Sequence, residues 1–159
     1  IEPQLSNKHG IRYQRHDTCF FSNVTDKYRY SGTCVLANPL DTQQELIDLL
    51  KHVNQLQQTE FNSILIKRYR DGTKYVSPHS YLSSKINTPY PVCHVFYGEP
   101  RLLRIKSGDT IVVDYTPEPR ELIVTASMFQ HYYSIQIPKR TKIKSPSYVL
   151  TLLRMKISN

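Results

Sequence analysis

The sequence predicts an α+β domain, mainly β, built as a sandwich or distorted barrel with one helix laid against a sheet. Two observations carry this. A single stretch has helical spacing: Leu46, Leu49, Leu50, Val53 and Leu56 fall on one face. Most of the chain after it breaks into short runs of apolar and β-branched residues, separated by Gly-, Pro- and Asp-containing turns. The composition agrees, with 12 Tyr, no Trp and only 5 Gly in 159 residues. That length is one domain by size and long enough to bury a core.

Taken in order, residues 1–10 are polar and expected to be loosely held. Residues 11–37 are rich in Tyr and Arg and read as strands. Asn38-Pro39 marks a turn, and a helix is expected over 41–58. Asp41 is its expected cap, and Gln44 reaches back to it. His52 is read as a surface residue of that helix. Phe61 to Tyr81 then begins as a strand through Ile64, Ile66 and Tyr69, turns at Asp71-Gly72, and climbs to Pro78-His79-Ser80-Tyr81. A loop rich in Ser, Asn and Pro covers 83–91. Strands are expected over about 92–97, 101–105, 110–115, 121–126, 132–137 and 148–156, with breaks at Gly98-Glu99-Pro100, Ser107-Gly108-Asp109 and Thr116-Pro117-Glu118-Pro119.

The stretch FNSILIKRYRDGTKYVSPHSY resembles the AlkB-like branch of the 2-oxoglutarate and iron(II) dioxygenases, the nucleic-acid demethylases. That family reads F-N-S-x-L-x-N-x-Y-R-D-G, then ten residues from the Tyr to the first His of an H-x-D metal motif. Tyr69 to His79 keeps the spacing. Tyr28-Arg29-Tyr30-Ser31-Gly32 is similar to the family's Y-x-Y-S-G, in a region that helps form the lid over the nucleotide; the equal alternative is a Tyr-rich hairpin whose rings cover the core. Further likenesses run through Gly98–Lys106, Ser107–Val113, Phe129-Gln130, Ile137-Pro138-Lys139 and Tyr148–Leu152. They span residues 11–154. The resemblance implies a double-stranded β-helix, or jelly roll, with at least one buttressing helix. Its core would be 61–156 and its lid-like strands 11–37.

The same resemblance argues against the chemistry. The family needs His, Asp and a distant His as metal ligands, and two Arg to clamp the cosubstrate carboxylates. His79 stands at the first ligand position, but Tyr81 replaces the Asp. The second His position falls on Ile135, with His131 four residues earlier. The two Arg positions fall on Ser147 and Leu153, and Arg154 is one residue off, which in a strand is the opposite face. Lys67 replaces an Asn, while Tyr69 remains where a cosubstrate-contacting Tyr would stand. No cofactor is therefore expected, and His79 is read as structural. Tyr81, Ile135 and Leu153 are expected to make the former site smaller, drier and apolar. The alternative is an active demethylase with a rebuilt site, using iron(II), 2-oxoglutarate, His79 and His131.

Net charge points to an anionic partner: 21 Lys and Arg against 13 Asp and Glu leave +8. Nucleic acid, as RNA or a single strand, ranks ahead of a membrane surface. A solubility charge is the plain alternative. Candidate contacts are Arg12, Arg15, Lys27, Arg29, Arg68, Arg70 and Lys74, interleaved with Tyr13, Tyr28, Tyr30 and Tyr75: cations for phosphates, rings for bases. Cys19, Cys34 and Cys93 form no C-x-x-C pair and suit free thiols in a reducing, intracellular compartment, cytoplasmic if the chain is viral, with the nucleus a further option. Asn23-Val24-Thr25 matches a glycosylation acceptor and is discounted. No apolar run reaches the length of a membrane span. An opening Ile1 and the decayed motifs lean towards a piece of a viral replicase polyprotein. Other domains or subunits of a replication complex are then further partners, and a protein-interaction domain is a third reading. G-x-S-x-G, H-E-x-x-H and phosphate-binding Gly loops are absent from the sequence.

Overall fold

The computed structural model describes residues 16–30, 33–82, 85–87 and 89–157. Among the described residues, eleven strands form two sheets: β1 (Asp17–Ser22), β2 (Lys27–Tyr30), β3 (Thr33–Asn38), β4 (Ser63–Tyr69), β5 (Val76–His79), β6 (Val92–Gly98), β7 (Leu103–Ser107), β8 (Thr110–Tyr115), β9 (Leu122–Thr125), β10 (Ser134–Ile137) and β11 (Ser147–Leu153). The large sheet runs β2-β3-β1-β4-β11-β6-β9 and the small one β5-β10-β7-β8. From β4 onward the chain passes between the two sheets, and every pairing in that half is antiparallel. This is the double-stranded β-helix of a mainly β, α+β domain.

Helix α1 (Gln44–Gln57) covers the outer face of the large sheet. Leu50 and Val53 are buried there with Ile64, Cys93, Val95 and Leu152. The helix starts later than the cap motif implies. Asp41 lies in a separate 3-10 turn, Leu40–Thr42, and Gln43 precedes the helix without a side-chain cap bond. Leu56, expected on the buried face, is 61% exposed, and Ile47 packs against the core instead. The helix ends on Gln58 at φ 52, the left-handed conformation that commonly stops a helix. Asn54 then ties the helix to β4's approach: its amide donates to the Phe61 carbonyl at 3.0 Å and its Oδ1 accepts the Phe61 N–H at 2.8 Å.

Three expected strands shift. The segment read as a strand from Tyr132 opens with a short helix, α2 (Phe129–Tyr132), and β10 begins only at Ser134. The turn sends Gln130 inward, where it is 3% exposed. The strand expected from Arg101 begins at Leu103, because Arg101 is occupied with loop carbonyls. The last strand stops at Leu153 instead of continuing to Lys156.

Strands β1–β3 extend the large sheet, with β1 antiparallel to β4 and parallel to β3. Tyr28 is 5% exposed and packs on Phe20. Strand β8 is exposed along its length, but its pairing with β7 skips a residue between Ile111 and Val113. Such a bulge twists an edge strand away from further pairing.

Candidate functional site

Alternation along three adjacent strands of the large sheet builds the interior facing the small sheet. Side chains two apart share a face, so Leu65, Lys67 and Tyr69 on β4, Val92, His94 and Phe96 on β6, and Val149, Thr151 and Leu153 on β11 line one layer. The register sets Val149 beside Lys67 and Phe96, and Thr151 beside Leu65 and His94. Across from them, β5 and β10 pair His79 with Ile135.

Lys67 is 4% exposed, and its ammonium lies 3.4 Å from His79 Nε2 and 3.3 Å from the Tyr81 hydroxyl. His79 Nε2 is also 3.3 Å from that hydroxyl, and the two rings meet edge to face. The other imidazole nitrogen, Nδ1, sits 3.0 Å from the Ser77 carbonyl. A carbonyl only accepts, so Nδ1 carries the proton and Nε2 offers its lone pair to Lys67 and Tyr81. Burial, and then the nearby Lys67 charge, push the His79 pKa down to about 3. His94 is pushed down to about 3 by the same two causes. Its Nδ1 is 2.9 Å from Thr151 Oγ1, and its ring lies 5.5 Å from that of Tyr81. Tyr81 is held from behind by Gln130, whose Oε1 accepts the Tyr81 N–H at 2.8 Å while its amide donates to Thr125 Oγ1.

The interior is lined by Tyr81, Ile135 and Leu153, which are 4%, 3% and 0% exposed. It is not apolar. Lys67, His94, Thr151 and Gln130 make a polar layer that the motif comparison missed, because it treated Lys67 only as the loss of an Asn. The signal was present in β6, where a His stands between Val92 and Phe96 at a spacing of two. A metal fits poorly here. Lys67 donates hydrogen bonds and accepts none, its charge repels a dication, and the charged groups acting on His79 among the described residues are Lys67, His94 and His16 rather than a carboxylate. Among the described residues, no three His, Cys, Asp or Glu side chains converge to hold a metal ion. His131 is exposed on α2. Tyr69 is 1% exposed, packed among Phe96, Leu103, Ile135, Ile137 and Val149. Ser147 donates to the Glu99 carbonyl, and Arg154 turns away to Glu60 and the Tyr90 ring.

The expected nucleic-acid contacts divide. Arg12, Tyr13 and Arg15 lie outside the described residues, as does the side chain of Tyr30. Tyr28 is corrected: its ring is core and presents no face to a base. Arg68 and Arg70 are also corrected as free phosphate contacts, because both close on the buried Asp17 at 2.7 and 2.8 Å. Burial alone would raise the Asp17 pKa, but the bonds from Arg70 and Arg68 outweigh it and hold the carboxyl below its ordinary range. Arg29 is exposed, and Lys27, Lys74 and Tyr75 are half-buried. Lys139 stands 4.8 Å over the Tyr75 ring.

In sequence, no family profile and no curated protein matches this chain. In structure it is similar to OsALKBH1, an AlkB homologue, with a TM-score of 0.58 over 97% of this chain and 86% of that one, at 11% identity. The fold is AlkB-like. No helix among the described residues is long and apolar enough to cross a membrane.

Proposed function

We propose that this chain is a non-catalytic AlkB-like domain that binds RNA or single-stranded nucleic acid as part of a larger replication-associated protein. The observation that carries the loss of catalysis is the Lys67 ammonium against His79 and Tyr81. The Lys67 side-chain nitrogen stands beside the His at the first ligand position, and Tyr81 supplies a phenol where a carboxylate would offset metal charge. An active demethylase would also need groups to hold 2-oxoglutarate, and the buried aliphatics Ile135 and Leu153 stand where the family's pattern has a His and an Arg.

Equilibrium dialysis with Mn(II) and 2-oxoglutarate tests this half. Neither should bind in a His79-dependent manner; stoichiometric metal that disappears in His79→Ala would reverse the assignment. Nucleic-acid binding is supported by the net charge of +8. It predicts an affinity for single-stranded RNA that falls steeply with salt. An absence of binding at low salt, or binding indifferent to salt, removes that half. Intact-mass measurement of the natural product decides whether the chain is cut from a longer polypeptide.

A further inference from the structure

The sequence Lys139-Arg140-Thr141-Lys142-Ile143-Lys144 places four cations in six residues with no acid among them. All four are exposed, and none forms an ion pair among the described residues. Unlike a solvated tail, this loop is pinned. The Arg140 N–H donates to the Gly72 carbonyl, and the Gly72 N–H donates to the Ile143 carbonyl, each at 2.8 Å. The approach is so close that a Cβ on Gly72 would lie 1.6 Å from the Arg140 carbonyl oxygen. Beneath it, the buried Arg101 guanidinium donates to the carbonyls of Asp71, Lys74 and Pro138, joining the turn after β4 to the loop after β10. The Asp71 carboxylate, the nearest acid on the turn, is taken up by the Thr73 N–H and hydroxyl.

We infer that this pinned loop, with Lys74 and Tyr75 beside it, is the surface on which the phosphodiester backbone of a single-stranded nucleic acid docks. The inference rests on the nucleic-acid reading above and moves its centre away from Arg68 and Arg70, which share the one Asp17 carboxylate and keep a single net positive charge between them. Phosphates take the four cations, and their order is set before binding by Gly72 and Arg101, which lowers the entropy lost on association. Tyr75, half-buried under Lys139, borders the cations with an aromatic ring. An anionic membrane is the weaker fit: Ile143 is half-buried, so the loop offers no apolar side chain to insert.

The test is fluorescence anisotropy of a labelled single-stranded oligoribonucleotide across a salt series, with the full chain. Changing Lys139, Arg140, Lys142 and Lys144 together to Gln should weaken binding and reduce the log–log salt slope by about 3, from about 0.7 per phosphate contact. Neutralising exposed cations elsewhere, Lys51→Gln with Arg120→Gln, should change it far less. Gly72→Ala should weaken binding with every cation retained, because the loop must lift; the four Gln changes are exposed and keep the test valid if Gly72→Ala fails to fold. Wild-type binding that survives the four changes, or falls equally in the control pair, overturns the docking surface and leaves the nucleic-acid reading standing. Wild-type protein that ignores the oligonucleotide but sediments with phosphatidylserine vesicles overturns both.

Discussion

The two faces of the large sheet are made by the same strands and differ in kind. Towards α1, Ile64, Cys93, Val95, Leu150 and Leu152 form an apolar layer. Towards the small sheet, Lys67, His94 and Thr151 interrupt one made otherwise of Leu65, Val92, Phe96, Val149 and Leu153. An apolar layer needs only volume and can be filled by many sequences. A buried polar layer needs each donor to meet its acceptor, and any unmet group costs free energy. The inner face therefore differs from the outer in needing its groups matched: Lys67, His79 and Tyr81 meet one another and His94 Nδ1 meets Thr151, while the buried His94 Nε2 has no hydrogen-bond partner.

The largest expected effect lies on the outer face. Leu152 is wholly buried, so Leu152→Ala should lower unfolding free energy by about 2–5 kcal/mol in denaturant titration. On the inner face, Tyr81→Asp should cost about 3 kcal/mol by loss of aromatic packing and leave turnover at zero. Adding Ile135→His should still give no metal-dependent rise in melting temperature while Lys67 remains, because the introduced carboxylate would pair with its ammonium. Adding Lys67→Asn as well should produce that rise. A rise with Lys67 intact would show that the lysine does not block the site.

Acid should separate the faces next. His79 and His94 have folded pKa values near 3 against an ordinary 6.5, so below 6.5 the unfolded chain binds protons that the native state refuses. Their contribution to stability is present above pH 6.5 and is lost progressively as pH falls towards 3. The melting temperature of His94→Gln should fall less over that window than that of the wild type. A buried cation stabilises little in net terms, so Lys67→Met should leave stability within about 1–2 kcal/mol of wild type or raise it. Smallest of all, Leu56→Gln on the exposed side of α1 should stay within about 0.5 kcal/mol.

Much of the architecture was readable along the chain. The alternation in SILIKRY and SYVLTLL, the helical spacing of Leu46 to Val53, and the ten residues from Tyr69 to His79 each depend on neighbours in sequence. They lead to a mainly β domain with one buttressing helix, while the pairing of His79 with Ile135 appears only in the folded chain. The misreadings arose where a local rule met a distant partner. Asp41 resembles a cap, yet the chain makes a 3-10 turn there; Tyr28 belongs to a Tyr-Arg-Tyr run, yet Phe20 takes its ring into the core. Arg68 and Arg70 read as free cations until β1 brings Asp17 beside them, 51 and 53 residues away. The same holds for Lys67 meeting His79, and for Gly72 lying under Arg140. Periodicity states which face a side chain takes. Only the pairing of strands and loops states what it meets there, and that meeting decides whether a charge is spent inside the protein or left for a partner.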